Sequence, residues 1–275
     1  MPNSLKRVIS APMLMLYGMG NILGAGIYVL VGKVAGASGY AAPYAFLLAA
    51  FVASFTAISY SQLSSRYPKS AGEVNYALAA FKKQWLALAM GAAIILSGLV
   101  SSSAILHGFV AYLDTFIEHP HWLTMALVMT ALTMLAIWGI KQAIWVTACM
   151  TVIEFVGLLY VLFVAWPDAE LIEVTVEQAK HDLSSLGLVL FGGAFVAFYA
   201  YVGFEDMVNV AEEVEEPQKA MPIALLGALV MTTVVYVLIA FVAVARVLPE
   251  VLAESNAPLA LIYESTSGNK AYSIS

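Results

Sequence analysis

Residues 12–36 read PMLMLYGMGNILGAGIYVLVGKVAG, and this stretch decides the fold. No charged residue lies between Arg7 and Lys33, so the stretch can cross the roughly 30 Å hydrocarbon core of a bilayer. It nevertheless contains several glycines, and each costs a helix about 1 kcal/mol relative to alanine. These are Gly18, Gly20, Gly24, Gly26 and Gly32. The pattern predicts either a spanning helix broken at residues 24–26 or close helix packing through small residues.

A break at membrane depth would have a chemical use. It exposes backbone N–H groups at the start of one half-helix and C=O groups at the end of the other. The helix dipole adds partial positive and negative charge at these two ends. A carboxylate and an ammonium group could therefore be bound there.

The composition identifies a polytopic membrane protein. Of the 275 residues, 62% are hydrophobic and 11% are charged, whereas soluble domains carry about 25% charged residues. The single cysteine, Cys149, allows no disulfide within the chain and no thiolate metal site. We expect no cofactor, no metal and no nucleic-acid partner, and the sequence lacks the HExxH motif of a metalloprotease.

Charge-free windows predict seven spans, of which the fifth contains one acidic residue, Glu154. The windows are 8–32, 34–65, 84–113, 122–140, 142–167, 183–204 and 220–245. The acidic stretch 168–182 is predicted to be a connection with weak helical character. The residues after 258 resemble the approach to a further span, so the chain is expected to be an N-terminal fragment, with residues 1–275 forming one incomplete transmembrane domain.

The distribution of lysine and arginine predicts the orientation. With the N-terminus in the cytoplasm, eight basic residues lie inside and three outside. The inside group is Lys6, Arg7, Arg66, Lys69, Lys82, Lys83, Lys141 and Lys219, and the outside group is Lys33, Lys180 and Arg246. The predicted location is the cell (inner) membrane, crossed several times.

A second interruption lies in span six. Gly192-Gly193 loosens its first half, and residues 199–205 (YAYVGFE) place a glycine and a glutamate in an otherwise apolar helix. Interruptions at corresponding positions of two halves point to a transporter site at an inverted-repeat interface. A seven-helix receptor or a channel is the alternative, but residues 220–245 lack the lysine that retinal requires.

These motifs together resemble the amino acid–polyamine–organocation (APC) permeases over nearly the whole chain. Residues 21–27 (NILGAGI) resemble the break in the first helix of these permeases, and residues 199–205 resemble the break in the sixth. Residues 60–76 and 212–222 resemble the family's two intracellular loops. The chain departs from the family pattern at Gln62, at Ala71 and Glu73 around a single Gly72, and at Glu216-Pro217.

The resemblance implies an all-α, LeuT-like fold of two inverted five-helix repeats, truncated after about seven transmembrane helices. Residues 1–167 would form the first repeat and residues 183–275 part of the second. The implied activity is secondary active transport of amino acids or related amines by alternating access, not an enzymatic reaction. Transport would be proton-coupled or an exchange, with a proton favoured over sodium as the coupling ion.

The resemblance also implies the substrate site. A substrate carboxylate would meet the N–H groups of Gly24, Ala25 and Gly26, and its ammonium the carbonyls near Ile22 and within residues 199–201. Tyr199 would cover the substrate as an aromatic gate. The remaining candidates, which shape the pocket or complete the two motifs, are Ile27, Ala200, Tyr201, Val202 and Gly203.

Two glutamates are candidates for proton coupling. Glu154 lies about 17–18 Å into span five, where the bilayer disfavours the charged form and favours a bound proton. Glu205 follows the break in span six. The alternative for Glu154 is a neutral, structural carboxylic acid.

Overall fold

A computed structural model describes residues 6–185 and 187–266, without the side chains of Ala25, Ser185 and Leu188. Within these residues the chain is mainly helical, and a β-bridge joins Ile9 to Val214. The helices are α1 Ala11–Ser38, α2 Ala42–Arg66, α3 Gly72–Phe81, α4 Gln84–Asp114, α5 His121–Trp138, α6 Ile140–Ala165, α7 Ala169–Ser185, α8 Gly187–Tyr199, α9 Pro217–Arg246, α10 Pro249–Glu254 and α11 Pro258–Thr266. A 3₁₀ turn, Gly39–Ala41, joins α1 to α2, and a 3₁₀ helix, Phe204–Glu213, follows α8.

Length and hydropathy single out six candidate spans among the described residues. They are Gly26–Arg66, Gln84–Asp114, His121–Trp138, Ile140–Ala165, Val189–Glu213 and Pro217–Arg246. The first has 41 residues, which as helix would extend about 60 Å, twice the thickness of the hydrocarbon core. The 3₁₀ turn divides it between α1 and α2, so the seven predicted spans correspond to α1, α2, α4, α5, α6, α8 with the 3₁₀ helix, and α9.

Two predicted connections are helices instead. Residues 168–182 were predicted to be weakly helical, yet α7 has 17 residues. The Asp168 carboxylate accepts a hydrogen bond from the Leu171 N–H at 2.9 Å, which is the geometry of an N-cap, and good helix formers follow it. The loop between spans two and three contains α3. The residues at its two ends, Ala71 and Lys82, both adopt left-handed conformations. The stretch after residue 258 contains α11, and residues 267–275 lie outside the described residues.

The core forms where α1 and α2 pack against α9. Alanines recur on one face of α2 at intervals of three or four residues and are completely or almost completely buried, so the two backbones can approach closely. These alanines are Ala42, Ala45, Ala49, Ala53 and Ala57. Phe46 of α2 lies within this layer with its ring edge against Tyr236 of α9, 5.4 Å between ring centroids.

Contacts between distant ends are those expected if the chain alternates between two faces of a membrane. At one face, the Ile9 carbonyl accepts a hydrogen bond from the N–H of Glu215 at 2.9 Å. At the other, the Arg246 guanidinium donates to the Ala165 and Trp166 carbonyls, which caps α6. At that same face the Tyr40 N–H donates to Asp182 at 2.9 Å.

We expect Ser70→Cys and Glu173→Cys, each made in a Cys149→Ser background, to be labelled from opposite sides of a membrane. Spans three, four and five separate these two positions, and an odd number of crossings changes sides. The measurement is reaction with an impermeant maleimide in oriented vesicles. Labelling of both positions from one side would contradict the seven-span map.

Candidate functional site

The break in α1 is present, and it occurs at one residue. Gly24 has φ 7° and ψ −143°, which is non-helical, and it divides α1 into half-helices of residues 11–23 and 25–38. A Cβ at Gly24 would meet nothing within 4 Å, so packing does not explain this glycine. Packing does explain Gly20 and Gly32, where a Cβ would overlap Thr151 and Leu252. Both sequence interpretations are therefore correct, for different glycines of the same helix.

The break in span six is also present. Helix α8 ends at Tyr199, residues 200–203 form a turn, and the 3₁₀ helix starts at Phe204. Gly203 has φ 132°, a conformation that other residues rarely adopt. Its N–H donates a hydrogen bond to the Glu205 carboxylate at 2.8 Å, so this side chain closes the turn.

The two breaks lie directly against each other. A Cβ at Gly26 would be 2.9 Å from the Ala200 carbonyl oxygen, and a Cβ at Gly203 would be 2.5 Å from the Asn21 carbonyl oxygen. Real Cβ atoms do not come this close, so glycine is required on both sides. The half-helix ends of spans one and six consequently share one small volume.

Tyr236 of α9 joins the two breaks. Its side chain is completely buried, and its hydroxyl donates to the carbonyl of Ile22 on one side and to that of Ala200, at 2.9 Å, on the other. The Leu23 carbonyl lies 3.3 Å from the same hydroxyl. A tyrosine carries one hydroxyl proton, while each carbonyl oxygen has two lone pairs. The three carbonyls therefore keep acceptor capacity that an ammonium group, with three donors, could use.

A cavity of about 100 Å³ adjoins this junction. It is lined by Asn21, Ile22, Gly26, Val29, Leu30, Ser101, Ala104, Ile105, Tyr199, Ala200 and Val202. Polar groups at its wall include the hydroxyls of Ser101 and Tyr199, which are 3.2 Å apart. The rest of the wall is mainly apolar.

The ten predicted substrate residues differ in where the structure places them. Five line the cavity, namely Ile22, Gly26, Tyr199, Ala200 and Val202. Gly24 and Gly203 shape the two breaks instead, and the Ala25 side chain lies outside the described part of the chain.

Ile27 and Tyr201 do not line the cavity, so their placement does not support contact with a substrate. Ile27 is fully buried in the core. The Tyr201 hydroxyl donates to the Phe46 carbonyl at 3.2 Å, and its ring lies edge-on to Tyr236. The turn after Tyr199 rotates successive side chains to different sides, so Tyr201 reaches α2 rather than the cavity.

The two candidate proton-coupling residues lie outside this cavity. Glu154 lines a cavity of about 710 Å³ between α4, α5 and α6, and its carboxylate interacts electrostatically with the Tyr28 and Tyr236 hydroxyls. Glu205 lines another cavity, of about 200 Å³, with Tyr60 of α2 and Val202. Within residues 6–185 and 187–266, no three His, Cys, Asp or Glu side chains are grouped so that they could hold a metal ion.

Sequence reasoning missed Tyr236 and the side chain of Asn21. Tyr236 is the only tyrosine of α9, and an isolated tyrosine in an apolar span needs a partner for its hydroxyl. That signal marks the residue but does not identify its partners, of which Ile22 and Leu23 lie more than 200 positions away and Ala200 lies 36 positions away in the sequence. Asn21 carries a polar side chain immediately before the predicted break, which was a usable signal.

Comparison with known proteins agrees with this geometry. A family model described as amino acid permease matches residues 9–274. The chain belongs to the amino acid permease family. It is 30% identical over 271 residues to the vacuolar cationic amino acid transporter 4 of Arabidopsis thaliana, which covers 90% of this chain and 44% of the relative.

Two further relatives have similar coverage. The branched-chain amino acid permease BcaP of Bacillus subtilis is 28% identical over 97% of this chain and 60% of its own length. The mouse cationic amino acid transporter 4 is 25% identical over 88% of this chain and 41% of its own length. The chain thus spans about half the length of these curated relatives.

We expect Tyr236→Phe to lower stability and weaken binding at the junction. The ring would keep its contacts, but three buried carbonyls would lose their shared donor, at a cost of about 1–3 kcal/mol. Binding of an amino acid should weaken about tenfold, which corresponds to 1.4 kcal/mol. Thermal unfolding in detergent and equilibrium binding measure the two effects.

Tyr112→Phe is the matched control. The Tyr112 hydroxyl donates to the Tyr28 carbonyl at 2.5 Å and accepts from the Leu259 N–H at 3.2 Å, and neither tyrosine lines the cavity at the junction. This control should lose stability without losing affinity. Equal affinity losses in the two variants would show that Tyr236 has no special role at the site.

Proposed function

We propose that this chain carries the substrate site of a secondary transporter that binds amino acids and moves them by alternating access. The observation that carries the proposal is the contact of two interrupted spans through the Tyr236 hydroxyl. A pair of half-helix ends of opposite polarity, backed by a small cavity, matches a zwitterion. Residues 1–167 and 183–275 would belong to the two inverted repeats.

The polar ends of the substrate would be bound by backbone groups. The ammonium would meet the carbonyls of Ile22, Leu23 and Ala200, which already accept from Tyr236. The carboxylate would meet the N–H groups of the half-helix that begins after Gly24, whose dipole favours negative charge. Recognition of this kind is independent of the substrate's side chain.

The cavity wall supports a preference for apolar amino acids. Val29, Leu30 and Ile105 offer an aliphatic surface to the substrate side chain. Tyr199 would close the cavity, since it lines the wall, is half-exposed and has its hydroxyl 3.2 Å from that of Ser101. The names of the relatives include both branched-chain and cationic substrates, and this wall favours the branched-chain class.

The proposed location is the cell membrane, with the N-terminus in the cytoplasm. The asymmetry of eight basic residues to three supports this orientation. The 3₁₀ helix and α3 would then lie at the cytoplasmic face, and Arg246 at the opposite face.

We expect the full-length protein in proteoliposomes to bind leucine, isoleucine and valine more tightly than lysine and arginine. Gly26→Leu should abolish this binding, because even a Cβ would be 2.9 Å from the Ala200 carbonyl. Gly98→Leu is the control, since a Cβ there meets nothing within 4 Å. Scintillation proximity binding with a panel of labelled amino acids measures both. If no amino acid binds, or if Gly26→Leu binds normally, the proposed site is wrong.

The proposal includes proton coupling through Glu154. Burial in the bilayer favours its protonated form, and its carboxylate interacts electrostatically with the Tyr236 hydroxyl that joins the breaks. Glu154→Gln imitates the protonated state permanently. It should keep binding and exchange but lose accumulation driven by a pH gradient in proteoliposomes.

Glu205→Gln is the comparison for Glu154→Gln. If the proton is carried in span six, Glu205→Gln loses gradient-driven accumulation and Glu154→Gln keeps it. Continued accumulation by Glu154→Gln would make Glu154 a structural residue.

A further inference from the structure

A tight junction joins α3 to the 3₁₀ helix. A Cβ at Gly72, the first residue of α3, would lie 2.6 Å from Val208 of the 3₁₀ helix and 2.8 Å from the Tyr76 hydroxyl. Helix α3 therefore rests directly on the second half of the broken span six. Any movement of that half must separate this junction or carry α3 with it.

The junction encloses two buried polar atoms that lack hydrogen-bond partners among the described residues, Oε2 of Glu73 and the hydroxyl of Tyr76. Glu73 is 7% exposed, and its Oε2 atom is buried and has no hydrogen-bond partner among the described residues. The hydroxyl of Tyr76, which is 8% exposed, is in the same situation. Burial of an ionised carboxylate without a partner is expensive, whereas a protonated carboxyl is neutral and has an O–H group to donate.

The surroundings of Glu73 oppose its negative charge. The carboxylates of Glu205 and Asp206 on the 3₁₀ helix interact with it electrostatically and oppose its charge. The hydroxyls of Tyr60 and Tyr76 also interact with its carboxylate, from α2 and α3, and the Tyr60 hydroxyl offsets part of this opposition. Two ring contacts hold Tyr60 in place, with its edge on Tyr76 and on Phe204.

No described cation neutralises the negative charge of Glu73. Within residues 6–185 and 187–266, no basic side chain forms an ion pair with Glu73. Arg66, at the end of α2, lies over the Tyr67 ring instead, 5.9 Å from its centroid. Burial is the main reason that the pKa of Glu73 is raised above 4.5, and Asp206 acts in the same direction. The Tyr60 hydroxyl and the N–H at the start of α3 act against this rise but are weaker than burial.

We propose that Glu73 is a proton-binding site that holds α3 closed on the 3₁₀ helix. The carboxyl takes one proton from the adjoining aqueous phase when the junction packs, and returns it when the junction opens. The bound species is a proton rather than a metal ion, because the described His, Cys, Asp and Glu side chains form no group suited to a metal. The site is separate from Glu154 and from the substrate cavity.

The direction of the pH effect follows from linkage. The pKa of Glu73 is higher in the packed junction than in an open one, where it would be near 4.5. The packing stability is therefore complete below that ordinary value and is lost as the pH rises through the packed-state value. One proton per opening event allows the opening constant to rise by up to tenfold per pH unit.

The consequence for transport rests on the proposed function. A closed junction fixes the 3₁₀ helix, and this helix begins next to the break that would hold the substrate. Release of the proton from Glu73 would then free the cytoplasmic half of span six.

The test is hydrogen exchange of the full-length protein in nanodiscs between about pH 5 and pH 8, corrected for the intrinsic exchange rate. Protection of the amides of residues 72–81 and 204–213 should fall by up to tenfold per pH unit as the pH rises. In Glu73→Gln and Glu73→Met, which cannot ionise, protection should stay high and independent of pH. Glu215→Gln, an exposed cytoplasmic control, should behave like the natural protein.

Other outcomes overturn the proposal. A pH-independent junction in the natural protein, or the same slope in both Glu73 variants, would place the proton elsewhere or nowhere. Loss of protection at every pH in both variants would mean that the carboxylate itself builds the junction. Amino acid binding, measured on the same samples, separates the two proposals, since a pH-dependent junction without binding would leave the proton site intact and remove the transport function.

Discussion

The structure depends on the requirement that backbone polar groups at membrane depth have hydrogen-bond partners. Two spans give up part of their helical hydrogen bonding at almost the same place, and the freed carbonyls of Ile22, Leu23 and Ala200 converge on the Tyr236 hydroxyl. One side chain from a third span thus satisfies both breaks at once. Because the hydroxyl supplies a single proton to three carbonyl oxygens, it stabilises the junction but leaves these oxygens able to accept further hydrogen bonds. The substrate site that we propose requires this remaining acceptor capacity of the carbonyls, whereas a purely structural kink would not.

The position of Tyr236 depends in turn on small residues elsewhere. The alanine face of α2 lets α9 approach closely, and Phe46 and Tyr201 hold the Tyr236 ring edge-on from two sides. Gly26 and Gly203 then let the two breaks meet at backbone distance. Bulk at either glycine would push apart the carbonyls that the hydroxyl bridges. The geometry of the breaks therefore depends on the packing of α2 against α9, although these segments lie far apart in the sequence.

Features that act within one helical segment could be predicted from the sequence. Glycines indicated both breaks, and Glu205 also indicated the one in span six. Hydropathy indicated the spans. These features depend on no more than about one helical segment. The acidic composition of residues 168–182 predicts only weak helical character. The structure has a 17-residue helix there, which Asp168 caps at its N-terminus. The partners of Tyr236 and the orientation of Tyr201 could not be predicted, because both depend on how spans one, two, six and seven pack. Glu73 was noticed as a departure from the family pattern, but its burial results from tertiary packing on the 3₁₀ helix.

The turn after Tyr199 separates two cavities. Val202 lines both the cavity of about 100 Å³ at the junction and the cavity of about 200 Å³ beside Glu205. The partition between them is thus one turn of backbone, closed by the hydrogen bond from the Gly203 N–H to the Glu205 carboxylate. A partition this thin can open by rotation about a few backbone bonds while α8 and α9 stay in place. In the alternating-access cycle that we propose, movement of the 3₁₀ helix would change which side of the membrane the junction faces, and α3, packed on that helix through Gly72, would have to move with it or separate from it.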